Sequence, residues 1–223
     1  IRYERFYPVV EKLKRDHPQL RVAIHTALTD EASAKRMEAA GVDTAMMDVI
    51  GAQETIKQVY HLDRTVDDFE STLAALCTTS MQITPHIVVG LHYGRILGEE
   101  YALDMIARYP TQALVLVVIM PFYAKPGTFI EPTTQDVGRI FLAARERLQD
   151  REINLGCARP AGMHKRVTDA YAVMAGLDGI AFPAEGATDV ARSIGRQINQ
   201  QHSCCSVKLS PDGSRQVIST CAA

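Results

Sequence analysis

Chemically useful side chains follow short apolar runs of the chain, at the points where the runs end. Asp48 follows Ala45-Met46-Met47, and Cys157 is followed two residues later by Arg159. A carboxylate at such a point can accept hydrogen bonds from both hydroxyls of a ribose, although a helix cap or an ion pair is an equal alternative. A guanidinium close to a thiol favours the nucleophilic, metal-ligating thiolate, with a small buried strand-end residue as the alternative interpretation.

A second group of candidates consists of one glycine and three polar residues. Gly90 ends the run Ile87-Val88-Val89, and a residue without Cβ lets a flat ring such as adenine lie against the backbone; a packing glycine is equally consistent. His25, Thr26 and His92 fall near the ends of similar runs, which makes them candidates for contact with a substrate or cofactor. No two histidines have the i, i+3 or i, i+4 helical spacing of a standard zinc site.

The elements that must position these residues alternate regularly. Apolar residues three and four apart predict helices, and short β-branched or apolar runs predict strands. The predicted helices are 3–15, 30–40, 53–60, 66–77, 99–109, 134–148, 165–175 and 187–201, and the predicted strands are 21–25, 44–49, 83–90, 113–120, 153–157 and 179–182.

Continuous apolar strands with helices between them indicate a parallel sheet covered by helices on its outer side. A glycine-rich dinucleotide turn is missing from the sequence, and several strand ends are polar, as the active face of a barrel requires. The predicted fold class is therefore α/β, a partial TIM-type (β/α) barrel of about six parallel strands with outer helices.

Composition limits the possible partners and locations. The 223 residues are 47% hydrophobic and 22% charged, which suits one soluble domain. The net charge of -2 and the scattered Lys and Arg residues argue against nucleic acid. No apolar run reaches the roughly 18 to 20 residues of a membrane span, so we expect a cytoplasmic protein without membrane contact. The five irregularly spaced cysteines do not suggest a disulfide framework.

Five stretches, taken in this order, resemble radical S-adenosylmethionine (SAM) enzymes of the biotin synthase-like group, most closely the archaeal-type two-component lipoyl synthases. They are HTAL (25–28), DVIG with VYHLDR (48–51 and 59–64), PHIVVGLHYG (85–94), GCARP (156–160) and DGIAFP (178–183). The resemblance spans about residues 3–201 and implies a (β/α)8 barrel enzyme.

The resemblance also implies a Cys-x3-Cys-x2-Cys loop that holds a [4Fe-4S] cluster, and a glycine-rich segment for the methionine end of SAM. Neither is present in the sequence, so the chain is expected to match strands three to eight, to be a piece of a longer protein and to be inactive alone. Residues 1–201 are expected to form this partial barrel, followed by a polar, Cys-containing tail at 202–223.

Roles carried over from the family fall on matching positions. Asp48 corresponds to the ribose-binding residue, and Gly90 with Leu91 to the adenine contact. Cys157 and Arg159 lie where the family places substrate or auxiliary-cluster groups. The basic residue of biotin synthase aligns with an asparagine, Asn154, which puts biotin formation in doubt. Beyond the barrel, Cys204 and Cys205 are candidate ligands of an auxiliary Fe-S cluster, with a disordered tail as the alternative.

The implied reaction is reductive cleavage of SAM to a 5′-deoxyadenosyl radical, used for sulfur insertion as in lipoyl or biotin synthesis. The implied partners are a small-molecule or lipoyl-domain-linked acyl substrate and a second radical SAM subunit. Two alternatives stay open: another aldolase-like or phosphate-binding barrel with loops at 159–162 and 183–186, and a non-catalytic partner subunit that binds through an open sheet edge. A six-strand arc is also expected to leave inward apolar side chains uncovered, among them Ile24, Val115 and Val117.

Overall fold

A computed structural model describes residues 3–122, 124–201 and 205–206 of the chain. Six parallel strands form one sheet in sequential order, each paired with the next. The strands are β1 (Ala23–His25), β2 (Thr44–Asp48), β3 (Gln82–Val89), β4 (Ala113–Val118), β5 (Glu152–Leu155) and β6 (Gly179–Ile180). This is the predicted arc of a parallel α/β barrel. Its two edge strands, β1 and β6, are also its shortest.

Helices connect successive strands and cover one side of the sheet. A 3-10 turn at Tyr3–Phe6 leads into the first helix; the α-helices are α1 (Tyr7–Asp16), α2 (Glu31–Ala39), α3 (Gln53–Gln58), α4 (Val66–Leu76), α5 (Glu99–Ala107), α6 (Thr134–Arg147), α7 (Gly162–Met174) and α8 (Ala187–Ser193). Side-chain caps fix several starts. Thr65 and Asp68 form a reciprocal capping box on α4, and Asp30 accepts from the Ser33 backbone N–H on α2. None of the described helices is long and apolar enough to cross a membrane.

Alternation along the strands separates an apolar outer face from a more polar inner face. Ile83, Ile87 and Val89 of β3 pack with helix residues such as Leu73 and Phe141 in one buried core. Because successive strand side chains point to opposite sides, Thr84 and His86 face the barrel interior.

The inner face is confirmed where β4 meets β5. A Cβ built on Gly156 would lie 2.5 Å from Val117 Cγ1 and 2.9 Å from Val115 Cγ1, so these two valines point inward. Val115 is nevertheless fully buried, with 0% exposure. Ile24 packs against the outer core instead. The expectation of uncovered inward residues is therefore wrong for Val115 and for Ile24.

Several predicted helix boundaries also differ from the structure, and two differences in the last two helices stand out. The last helix ends at Ser193 rather than at residue 201, because Gly195 adopts a φ of +76° that does not continue an α-helix. The seventh helix begins at Gly162, three residues before the predicted start at 165. Both differences lie at the ends of elements, and the predicted order of helices and strands is confirmed.

Candidate functional site

Asp48 is the last residue of β2, so its carboxylate lies at the carboxyl end of the sheet, where parallel barrels place their active sites. Tyr60, which follows α3, donates its hydroxyl to Asp48 Oδ2 at 2.9 Å. His25 ends β1, and its Nε2 lies 3.4 Å from Asp48 Oδ1. Three neighbouring elements thus converge on one carboxylate.

The electrostatics of this cluster favour an ionised carboxylate. Burial tends to raise the pKa of Asp48, but the hydrogen bond and charge of His25 and the hydrogen bond from Tyr60 outweigh it, so the pKa lies below its ordinary value. The same hydrogen bond with Asp48 raises the pKa of His25 against the opposing effect of burial. Burial, followed by the Asp48 charge, raises the pKa of Tyr60, which therefore remains a hydroxyl donor.

A cavity of about 360 Å³ opens beside the cluster. Its lining includes His25, Thr26, Asp48, Tyr60, Arg64 and Phe69. The Asp48 side chain is 29% exposed, and each of its oxygens has lone pairs beyond those used by Tyr60 and His25. A vicinal diol of a sugar can therefore donate to this carboxylate. Of the residues predicted from the sequence, the structure brings together His25, Thr26 and Asp48.

The loop after Asp48 is held against the start of α5. A Cβ on Gly51 would lie 2.1 Å from the Gly98 carbonyl oxygen and 2.7 Å from Ala102 N, so no larger residue fits at position 51 without a shift of the backbone. Gly98 itself has a φ of +97°. This close approach fixes the direction in which the chain leaves the end of β2, and with it the position of Asp48.

Gly90 follows β3 with a φ of +78°, a conformation that favours glycine. A Cβ there would lie 2.9 Å from Pro132 Cγ and 3.3 Å from Ile119 Cγ2. The glycine is thus explained by its backbone conformation and packing, and its contact with adenine stays a prediction. Leu91 packs against the outer core.

Glu99, which sequence reasoning missed, accepts the Gly90 N–H through Oε1 at 2.8 Å. It is 4% exposed, and burial raises its pKa. Its other oxygen, Oε2, has no hydrogen-bond partner among the described residues. Glu99 therefore holds the end of β3 from the α5 side.

His92 lies apart from the cavity lining. Its Nδ1 is 3.2 Å from Thr55 Oγ1 on α3. The next residue, Tyr93, has a φ of +54° and donates its hydroxyl to the Gln58 carbonyl at 2.7 Å. These two hydrogen bonds hold the segment after β3 against α3. A cofactor contact by His92 stays a prediction.

Arg159 is fully buried and occupied by structural partners. Its Nε and Nη2 bond Asp169 at 2.6 and 3.0 Å. The guanidinium also donates to the carbonyls of Gly156, Ala181 and Phe182. These contacts tie the ends of β5 and β6 to α7, so the structure gives Arg159 a positioning role within the fold. Cys157 is exposed. The hydrogen bonds of the Arg159 guanidinium go to Asp169 and to the three carbonyls, and none of these goes to Cys157.

The described residues do not fit an iron-sulfur cluster. Among them, no three His, Cys, Asp or Glu side chains lie close enough to hold a metal ion. Cys204 lies outside the described residues. Cys205, which the predicted division assigns to the tail, lies inside the barrel, where its carbonyl accepts from Asn154 Nδ2 at 3.0 Å. The carboxylate and cavity near β2 can accept the two hydroxyls of a ribose, whereas the described residues offer no site for an iron-sulfur cluster.

A buried histidine, His86, lies beside the group formed by His25, Asp48 and Tyr60. The ring of His86 on β3 is 5.1 Å from the His25 ring, centre to centre. Burial, followed by the charge on His25, lowers the pKa of His86 to about 4, so this imidazole is neutral near pH 7. Its contact with the His25 ring places it directly beside the candidate site.

No protein-family model matches the chain, and no curated protein matches it in sequence. Solved structures do match in fold. HydG, a maturase of the [FeFe]-hydrogenase, superimposes with a TM-score of 0.60 and 11% identity over 78% of this chain; the match spans 41% of HydG, well under half of that protein. A domain of pyruvate-formate lyase-activating enzyme from Bacteroides vulgatus ATCC 8482 superimposes with a TM-score of 0.52 and 10% identity, over 67% of this chain and 89% of the domain.

A 2,3-dimethylmalate lyase of the PEP mutase/isocitrate lyase superfamily covers 96% of this chain and 80% of its own, at 14% identity and a TM-score of 0.49. That score is too low to support a fold assignment. At these identities the two higher-scoring matches show a shared fold alone.

Proposed function

We propose that this chain is the adenosyl-binding part of a radical SAM enzyme. The observation that carries the proposal is the Asp48 carboxylate, which lies at a strand end in a partial parallel barrel and borders a cavity together with His25 and Tyr60. The fold shared with HydG and with the activating-enzyme domain supports the same class.

Each residue of the cluster has a distinct task in holding a nucleoside. Asp48 accepts the ribose hydroxyls, Tyr60 fixes the rotamer of the carboxylate, and His25 keeps it ionised. Charge-assisted bonds of this kind are stronger than bonds between neutral groups. SAM, when bound, supplies the 5′-deoxyadenosyl group for radical chemistry. The protein orients that group and shields it from water.

The finer assignment rests on the five sequence stretches. They favour sulfur insertion, as in lipoyl or biotin synthesis, on a small-molecule or lipoyl-domain-linked acyl substrate in the cytoplasm. Because the described residues do not fit the radical-generating cluster, that cluster would be supplied by further sequence of the same protein or by a second radical SAM subunit. A phosphate-binding barrel is less favoured, since Arg159 in the candidate loop is bound to Asp169.

Calorimetric titration of the full chain with S-adenosylhomocysteine, which carries the same adenosyl group, tests the proposal. We expect Asp48→Asn to weaken binding by about 10- to 100-fold, because hydrogen bonds to a charged group contribute about 1.5–3 kcal/mol. Asp189→Asn is the matched control: its side chain is 77% exposed on α8, and its affinity should equal that of the unchanged chain.

Two outcomes would overturn the proposal. One is a chain that does not bind S-adenosylhomocysteine at millimolar concentration. The other is an Asp48→Asn variant that binds as tightly as the control. Binding of a sugar phosphate without any response to the nucleoside would support the phosphate-binding alternative instead.

A further inference from the structure

Two residues near the C-terminus, Cys205 and Ser206, lie inside the barrel; we call them the inserted pair. Asn154 on β5 donates its Nδ2 to the Cys205 carbonyl at 3.0 Å. Thr84 on β3 donates its hydroxyl to the Ser206 carbonyl at 3.3 Å. The inserted pair therefore bridges the inner faces of two strands that are separated by β4.

The burial of the surroundings agrees with this bridge. Ser206 is only 2% exposed. Val115, on the intervening strand, pairs in register with both His86 and Asn154 and is fully buried although it faces the interior. Thr84 and Asn154 thus bind the backbone of the inserted pair from two strands, and Val115 is the apolar residue on the strand between them.

The contacts of His86 define its tautomer. Its Nδ1 is 3.1 Å from the Thr84 carbonyl, which can only accept, so Nδ1 carries the proton. Nε2 must then accept a hydrogen bond, and the Ser206 hydroxyl lies 3.2 Å away and can donate it. With both nitrogens bound, the ring has one orientation, in which it is tilted by 52° relative to the neighbouring His25 ring.

We propose that Ser206 is a positioning residue of the nucleoside site: it fixes the ring of His86, which supports His25 and thereby the geometry of the Asp48 carboxylate. The contact between Ser206 and His86 is a property of the chain itself. The effect on affinity rests on the function proposed above.

Nitrogen-15 NMR of the histidine rings in the full chain, without ligand, tests the contact. In the unchanged chain we expect His86 to carry its proton on Nδ1 and to show a hydrogen-bonded Nε2. Ser206→Ala removes the donor, so the Nε2 resonance should move downfield while the proton stays on Nδ1. Asn154→Ala releases the inserted pair from the other side and should shift the same resonance. His86→Gln assigns the signals.

Titration with S-adenosylhomocysteine tests the consequence. A single hydrogen bond corresponds to about a two- to tenfold change in affinity, and we expect Ser206→Ala and Asn154→Ala to weaken binding within that range. Ser193→Ala is the matched control, because that exposed serine bonds only its own helix, at the Val190 carbonyl. It should change neither the His86 signals nor the affinity.

The outcomes separate the two proposals. An unshifted His86 Nε2 in both variants would overturn the contact. A shifted signal with unchanged nucleoside affinity would overturn the positioning role. If the unchanged chain binds no nucleoside while the His86 signal still responds to Ser206→Ala, the proposed function fails and the contact between Ser206 and His86 stands.

Discussion

Replacing Asp169 with alanine removes the only carboxylate bound to the Arg159 guanidinium among the described residues. Both side chains of the pair are completely buried, at 0% exposure. Asp169 also accepts the Ala184 backbone N–H at 2.6 Å, so the variant loses a link to the loop after β6 as well. The perturbation leaves a charged guanidinium inside the protein, bonded only to backbone carbonyls.

The expected cost follows from that uncompensated charge. Breaking a buried ion pair by removing one partner costs about 3–5 kcal/mol, because the remaining charge stays desolvated. Each kcal/mol lowers the Tm of a chain of this size by roughly 2–4 °C. Asp169→Ala should therefore melt about 6–20 °C below the unchanged chain, with a correspondingly lower urea midpoint.

Urea and thermal unfolding followed by circular dichroism measure this loss. Asp189→Ala is the control: it breaks an exposed pair with Arg192, and its stability should change by less than about 1 kcal/mol. The double variant Arg159→Met with Asp169→Leu removes both charges and should regain most of the loss. A loss below about 1 kcal/mol for Asp169→Ala would refute the structural role of Arg159 and restore its candidacy as a catalytic residue.

Three further predictions concern the site and the loop that holds it. The pKa of His25 is raised above its ordinary 6.5. The stability that protonated His25 gains from Asp48 is therefore complete below pH 6.5 and is lost as the pH rises through the folded-state pKa. Asp48→Asn should abolish this loss of stability at higher pH, measured by urea unfolding across pH. The pKa of His86 is lowered to about 4, so stability should also fall as the pH decreases from 6.5 towards 4, a limb that His86→Gln should remove. Gly51→Ala places a methyl group 2.1 Å from the Gly98 carbonyl oxygen and should lower the free energy of unfolding by about 1–3 kcal/mol. Gly127→Ala is the comparison: its Cβ would have nothing within 4 Å, so it should show the cost of backbone strain at a φ of +81° alone.

The parallel arc could be predicted from the sequence because its signals are local. A continuous apolar strand such as β4 can be recognised within a few residues. Gly195, the glycine that follows α8, is an equally local signal, but the predicted helix 187–201 ran past it. Asp48 could be found as well, since the end of a strand identifies the functional face of a parallel barrel. The contact between Asp48 and His25 follows from that topology, which brings consecutive strand ends together.

The role of Arg159 could not be predicted from the same kind of signal. Its spacing from Cys157 suggested thiolate chemistry, whereas its partner, Asp169, lies on the following helix and is brought close only when α7 folds back onto the ends of β5 and β6. The packing reason for a glycine at position 90 could not be predicted either, because the contact is distant in sequence. The group that excludes a side chain there is Pro132, 42 residues further along the chain.

The inserted pair depends on a pattern that is present in the sequence but easily overlooked. Every second residue of β3 from Gln82 to His86 is polar, and Asn154 occupies the inner face of β5. An inner face with this many donors and acceptors must bond to something, because buried polar groups without partners are costly. The backbone carbonyls of Cys205 and Ser206 accept from Asn154 and Thr84, as those of any two residues would, whereas the bond to His86 needs the Ser206 hydroxyl. The side chain of the inserted pair that the inner face selects is therefore the Ser206 hydroxyl, which bonds His86 beside the His25–Asp48 site.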